Sequence, residues 1–415
     1  MKILLCHNFY RGFGGEDSAV ITLKQTLESK GLSVTFYTRD NKETLNYNLG
    51  RKILLFLNVF FSPRTYRDIK KIVRKSRPDV AHVHNIFPLI SPSIYFALKK
   101  MNIPIVQTAH NFRFLCPNGL FYSEGKVCER CKNGNYLNAI FRKCYRNSCL
   151  LSFLYAATIW LHRMLGTFTN KIDKVICLSD FSASKLAETL FPSGKLTVVP
   201  NFLSTSFVSA PQPEEYAVYM GRLSEEKGLF TLIKAFEGIK DFGLEVVGDG
   251  ALSKQLRQYV RSKGIKNIEF LGFIGGEKRF EILKKAMFCI IPSECYENFP
   301  MAVPECFGHK IPVIASDIGA LKKLIENGKN GLLFEAGNVN DLRDKIRYFA
   351  DNPGQRTNCA EYARCCAETK YGADANYEKL KNIYKEVIEN STRNKEAVGT
   401  TSTANVSVST ISGAV

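Results

Sequence analysis

At 415 residues the chain is too long for one ordinary core, and two domains of nearly 200 residues are the natural expectation. Its 45% hydrophobic and 23% charged residues match a globular protein, and no run reaches the about eighteen apolar residues that span a bilayer. The net charge of +18 is lopsided: residues 1–205 hold 29 Lys+Arg against 12 Asp+Glu, and the remainder 28 against 27. A field concentrated this way recruits polyanions: nucleic acid, an anionic bilayer face or a phosphorylated acceptor.

The opening MKILLCHNFY has too short an apolar run for a signal peptide, so the chain is expected in the cytoplasm. It reads as a strand, Lys2–Asn8, followed by Gly12-Phe13-Gly14-Gly15-Glu16-Asp17 and a helix over Ser18–Lys30. Gly14 and Gly15 suit either a tight strand-to-helix turn or close approach of a phosphate to a bare backbone. After a strand at Ser33–Thr38, Arg51 to Arg77 carries nine basic residues against Asp68, with the apolar Ile53–Phe61 beside them. Strands follow at Val80–Asn85 and Ile103–Ala109, around a helix at Ser91–Lys100. The first ends near His84 and the second delivers His110, which can donate to a sugar hydroxyl or a departing phosphate.

Five of the thirteen cysteines crowd into Cys116 to Cys149. Cys128 and Cys131 have knuckle spacing, flanked by Cys116 and Cys144 at eleven and twelve intervening residues. Four thiolates so spaced fit a closed structural Zn²⁺ site; reduced thiols packed in a loop are the alternative. The half closes with a helix over Leu150–Phe168, read as a buried one, then Lys174–Ser179, Phe181–Leu190 and Leu196–Pro200. The polar Leu203–Glu215, with Pro211 and Pro213, suits a linker.

The second half repeats the plan with strands Ala217–Gly221, Leu244–Gly248, Ile268–Leu271, Phe288–Pro292, Pro312–Ala315 and Gly331–Phe334. Continuous apolar strands between amphipathic helices indicate parallel sheets covered on both faces, with ligands in the crevice at the strand carboxyl ends. The first strand runs into Gly221-Arg222-Leu223-Ser224-Glu225-Glu226-Lys227-Gly228, a turn with the cations and backbone N–H groups that a pyrophosphate needs. The fourth runs into Ser293-Glu294-Cys295-Tyr296-Glu297-Asn298-Phe299-Pro300-Met301-Ala302-Val303-Pro304-Glu305. Pro300 suits the first turn of a helix, which would place Glu305 a turn and a half inside it. There Glu305 could accept both hydroxyls of a ribose, while Glu297 and the backbone amides of Asn298 to Met301 face a sugar. Tyr377 to Glu389 has a helical stripe, and Asn390 to Val415 reads as a tail without structure.

Glu297 and Glu305 match the Glu-x7-Glu motif of the retaining glycosyltransferases with the GT-B fold (glycosyltransferase family 4, glycosyl transferases group 1), and IIPSECYENFPMAVPECFGHKIPVIASDIGALKKLI resembles that family's signature throughout. GRLSEEKG resembles its phosphate-binding turn and the Gly14-Gly15 loop its first glycine-rich loop; the likeness spans about residues 2 to 390. Ile318-Gly319-Ala320 departs from it, standing where consecutive glycines are commoner.

The resemblance implies an α/β fold of two Rossmann-like domains facing a central cleft. An acceptor domain would cover 1–205 with a cysteine insert at 111–149, and a donor domain 206–375. A helix at 376–390 would cross back and 391–415 form the tail. It further implies that Arg222 and Lys227 bind the diphosphate of a UDP- or GDP-sugar, that Gly272 and Phe273 lie against the base, that Glu305 holds the ribose, and that His110 and Glu297 act at the transferring sugar with retained configuration. No cofactor is required for that chemistry, and zinc would be structural. The basic first half points to an anionic membrane surface as partner and to a saccharide acceptor, lipid-linked at the inner membrane face, in cell-surface polysaccharide or O-antigen assembly. The protein would be peripheral at that face, with Ile53–Phe61 as the element that touches it. A nucleotide-sugar epimerase on the same fold and a non-catalytic nucleic-acid-binding protein are the rival readings. Against the second, aromatic and basic residues do not interleave in any RNA-binding signature, so no nucleic acid partner is expected.

Overall fold

The computed structural model describes residues 1–12, 14–203 and 214–404, with the side chains of residues 49 and 394–404 outside that description. The first half contains β1 (Lys2–Phe9), β2 (Ser33–Asp40), β3 (Val80–Val83), β4 (Ile105–Ala109), a short antiparallel hairpin β5 (Tyr122–Ser123) and β6 (Lys126–Val127), then β7 (Lys174–Cys177) and β8 (Leu196–Val198). The second contains β9 (Tyr216–Met220), β10 (Gly243–Val247), β11 (Ile268–Gly272), β12 (Phe288–Ile291), β13 (Val313–Ser316) and β14 (Gly331–Phe334). Two six-stranded sheets form, in the orders β2-β1-β3-β4-β7-β8 and β11-β10-β9-β12-β13-β14, with every pairing parallel. The fold is α/β and GT-B.

Every residue of β3, β4, β12 and β13 is buried, which is why these runs are apolar without alternation. On one face of the first sheet, Leu4, Ala81, Val83 and Ile105 pack with Ile69, Val73, Ile94 and Leu98. On the other, Ile3, Leu5, Val80, Val106 and Ile176 meet Val20, Leu23 and Leu27 of the helix Gly15–Ser29. Tyr377, Leu380, Ile383, Tyr384 and Val387 share that second core, so the last helix, Ala373–Ala404, lies on the first domain.

Several expectations need correction. The last helix continues to Ala404 where 391–415 reads as a tail without structure, and residues 405–415 lie outside the described residues. So do 204–213, most of the expected linker with the boundary at 205/206, and Phe13 in the glycine loop. The stretch 150–168 forms two helices, Cys149–Met164 and Thr167–Lys171, broken at Gly166 with φ +60°. The longer helix is buried on one side only, although apolar residues run round most of its circumference, the pattern that reads as a buried helix. The basic stretch folds into two helices, Leu49–Phe60 and Pro63–Ser76; the hydroxyl of Ser62 accepts from Thr65 N, and Pro63 takes the first turn.

Candidate active site

Strand order reverses in each sheet beside its central strand, at β1/β3 in the first and β9/β12 in the second. Crevices form outside the carboxyl ends of strands at such points. The loops after β1, β3, β4, β9 and β12 carry most of the predicted residues and meet across one cleft, while Gly272 and Phe273 follow at the end of β11. The Nδ2–H of Asn298, after β12, donates to Ala109 O at the end of β4 at 2.6 Å. A Cβ built on Gly15 would lie 3.4 Å from Met301 Cγ, so the start of the first helix faces the donor loop directly.

On the donor side, Lys227 Nζ stands 2.5 Å from Glu297 Oε1, and the hydroxyl of Ser293 donates to the same oxygen at 2.6 Å. Arg222 projects from its turn with a side chain 61% exposed and pairs with Glu226 Oε1 at 2.6 Å. Gly228, with φ +66°, lets this turn press on β12: a Cβ there would lie 1.9 Å from Pro292 O. Arg222 thus rests on a carboxylate beside open solvent, while Lys227 and Glu297 pair in a part-buried position; both cations could be claimed by a diphosphate that competes for them.

The helix after the donor loop is Ala302–Gly308, starting two residues beyond Pro300. Glu305 therefore sits in its first turn, closer to the positive helix end than a start at Pro300 would place it. Its Oε1 meets Arg279 Nη2 at 2.5 Å. Burial raises the Glu305 carboxyl to about 7, against the opposing pull of Arg279. Phe299 packs inward against Tyr371 at 5.6 Å between ring centroids. Gly272, with φ +74°, ends β11 and leaves Phe273 68% exposed. At the departure from the family pattern, Gly319 has φ +56° and would meet Tyr296 Cα at 3.1 Å if it gained a Cβ.

On the acceptor side, His84 Nδ1 and His110 Nε2 lie 2.7 Å apart, one donating to the other, with rings stacked at 5.0 Å. His82 reaches Thr108 Oγ1 and the Tyr384 hydroxyl, both at 2.7 Å. Burial pushes His82 down to about 3 and holds His84 and His110 well below the ordinary value, so all three are neutral imidazoles near pH 7. Gly14 caps the first helix, its N–H donating to Asp17 Oδ2 at 3.0 Å. Asp17 Oδ1 in turn accepts from the fully buried His7 Nε2 at 2.8 Å.

The insert from Cys116 to Cys144 spans the cleft rim. Phe121 and Phe181 ring Tyr296 of the donor loop at 6.3 and 4.8 Å. Cys116, Cys128, Cys131 and Cys144 line one small cavity behind the hairpin. Cys116 Sγ turns to Asn118 Oδ1 at 3.0 Å and Cys144 Sγ to the Ser123 hydroxyl at 3.5 Å. Among the described residues, no three His, Cys, Asp or Glu side chains are arranged to hold a metal.

Sequence reasoning missed Arg279, Ser293 and the His7–Asp17 pair. Ser293 opens the turn after β12 and was legible as a small polar residue at a strand's end. Arg279 comes from the helix Lys278–Lys285, whose run of basic residues marks none of them out.

A family model described as Glycosyltransferase Family 4 matches residues 13–207, and one described as Glycosyl transferases group 1 matches 205–365. An uncharacterized glycosyltransferase of Methanocaldococcus jannaschii is 25% identical over 366 residues, 87% of this chain and 92% of its own. Among solved structures, a sucrose-phosphate synthase from Thermosynechococcus elongatus superposes with a TM-score of 0.71 at 18% identity, covering 94% of this chain and 99% of its own. Anabaena HepE in complex with UDP-glucose gives 0.68 at 16%, covering 93% and 100%.

Proposed function

The chain belongs to the glycosyltransferases of the family 4 and group 1 models, and we propose that it moves a sugar, with retention, from a UDP- or GDP-sugar to a lipid-linked saccharide. The observation that carries the donor assignment is the Lys227–Glu297–Ser293 cluster at a loop whose Met301 faces Gly15 and whose Asn298 donates to Ala109 O, next in sequence to His110. The Anabaena protein of like fold forms a complex with UDP-glucose, which supports a nucleotide sugar.

In this reading Arg222 and Lys227 leave their carboxylates for the diphosphate and neutralise charge as the bond to the sugar breaks. Glu297 then accepts hydroxyls of the sugar, and Glu305 those of the ribose. His110 donates as a neutral imidazole, positioned by His84. Among the described residues we assign none as a covalent nucleophile, and departure and attack on one face of the sugar is the route this reading takes. The chain's own cations supply the neutralisation, with no cofactor in the chemistry. The acceptor assignment, with its place in cell-surface polysaccharide or O-antigen assembly at the cytoplasmic membrane's inner face, rests on the basic first half. A structural zinc on the cysteine insert is a separate proposal: four thiols line one cavity, and binding would require Cys116 and Cys144 to turn away from Asn118 and Ser123.

A thermal-shift panel of nucleotide sugars tests the donor assignment. A true donor at 100 times its Kd stabilises by about 2.7 kcal/mol, and the anomeric configuration of the product is then read by NMR. Indifference to every nucleotide sugar, or inversion at C2 of the donor without transfer, would overturn it.

A further inference from the structure

We propose that the helices Leu49–Phe60 and Cys149–Met164 together form a docking face for an anionic lipid bilayer. The proposal rests on the lipid-linked acceptor reading but concerns a different surface. The face that Leu49–Phe60 turns outward carries Ile53, Leu54 and Leu57, each 55–62% exposed, and Phe61 follows at the helix end, 40% exposed. Their spacing, i, i+1, i+4 and i+8, makes one stripe. The second helix buries Leu154, Tyr155, Ile159 and His162, and exposes Leu150, Phe153, Trp160 and Met164 at i, i+3, i+10 and i+14. That is again one stripe, with Leu165 continuing it.

The two helices pack side by side. His162 Nε2–H donates to Phe60 O at 2.9 Å, and Phe96 stands 6.1 Å from His162 and 5.8 Å from Phe61. The short helix Leu137–Phe141 packs on the second of them and adds Leu137 and Phe141, 61% and 79% exposed. Monomeric domains seldom leave so many large apolar side chains bare on adjoining helices.

Charge selects the occupant. Residues 49–77 and 137–172, which carry this face and its borders, hold fourteen Lys+Arg and a single acid, Asp68. Two copies of the chain meeting here would press those cations together. An anionic bilayer instead offers acyl chains to the stripes and phosphates to the basic flanks. A lone Trp at the middle of the face is the kind of side chain that settles at the headgroup level.

Trp160 is the chain's one tryptophan, so its fluorescence reports this face alone. Full-length protein is mixed with vesicles of neutral phosphatidylcholine, with or without phosphatidylglycerol, containing no saccharide. With the anionic vesicles, Trp160 emission should shift to the blue and be quenched by lipids brominated on their acyl chains. The double variant Ile53→Ser, Leu57→Ser should cosediment at least about tenfold more weakly while keeping its nucleotide-induced thermal shift. Unquenched Trp160 on the wild type, undiminished binding by the variant, or a solution dimer that shields Trp160 would each overturn the proposal. Transfer to a lipid-linked acceptor in detergent is scored separately. Its success without vesicle binding removes the docking face alone, and vesicle binding with a soluble acceptor removes only the acceptor reading.

Discussion

Glu305 pairs with Arg279 inside a buried site, and in the proposed reading its charge decides how the ribose of the donor binds. A carboxyl raised to about 7 binds protons in the folded state that it has released in the unfolded chain, so its ionisation costs stability as pH rises from the ordinary 4.5 through 7. Ribose hydroxyls would need the opposite form, because only the carboxylate offers both of its oxygens as acceptors. Nucleotide affinity should therefore strengthen several-fold between pH 6 and 8 and level off above. Glu305→Gln should bind more weakly with a flat profile, as isothermal titration would show; an unchanged slope in that variant would assign the titration elsewhere. Glu297 makes a contrasting case. It faces Lys227 and Ser293, so Glu297→Ala should leave free UDP or GDP binding near wild type and depress turnover by roughly 10²–10³, the usual scale for losing a preorganised polar contact. Equal loss of free-nucleotide affinity in both variants would refute the division of labour.

Among elements, the twelve strands of the two sheets were legible because each is a short apolar run bounded by polar turns, and the sheets are parallel throughout. The helices Leu49–Phe60 and Pro63–Ser76 were not legible as helices: the first is a continuous apolar run behind Arg51 and Lys52, and the dense positive charge of the second reads first as surface, although Ser62 and Pro63 mark a helix start between them. The donor residues were legible as local strings, whereas Arg279 reaches Glu305 from 26 residues away and His7 meets Asp17 across a strand and a turn. Such pairings are set by packing, which carries no fixed spacing. The cysteine insert lies between these cases. Its four thiols gather on one cavity, yet hydrogen bonds to Asn118 and Ser123 turn two of them apart. Burial and neighbouring thiols push Cys131 up to about 12, and burial raises Cys116 and Cys144 as well, so zinc would have to displace protons. If it does, purified protein should contain about one zinc per chain, lost below about pH 5 and absent in Cys131→Ser. Metal-free protein of full thermal stability would leave the thiols as packing around the hairpin.

At the scale of the molecule, the last helix is what makes two domains into one body. The chain leaves the donor domain near Tyr371, whose carbonyl accepts from Leu203 N at 3.1 Å, and runs back across the first sheet. Tyr384 reaches His82 there, Lys174 pairs with Glu386 at 2.8 Å, and Leu380 is 3% exposed beside a small cavity that His82, His84 and His110 also line. The acceptor-side histidines are thus supported by residues from the far end of the sequence. Leu380→Ala would enlarge that cavity and should cost the first domain roughly 2–5 kcal/mol, the usual range for a buried leucine. The donor domain has its own core, which Leu380 does not join, so nucleotide affinity should stay within about twofold of wild type, the scatter expected for independent sites. Calorimetry with and without UDP separates the two: the transition insensitive to nucleotide should fall in temperature, and the one that nucleotide raises should hold. Turnover should drop with it, because the cavity that His110 lines grows while Lys227 and Glu297 keep their surroundings. A single transition that falls as a whole would mean instead that the helix and both sheets unfold as one unit, and that the cleft has no domain able to hold its ligand alone.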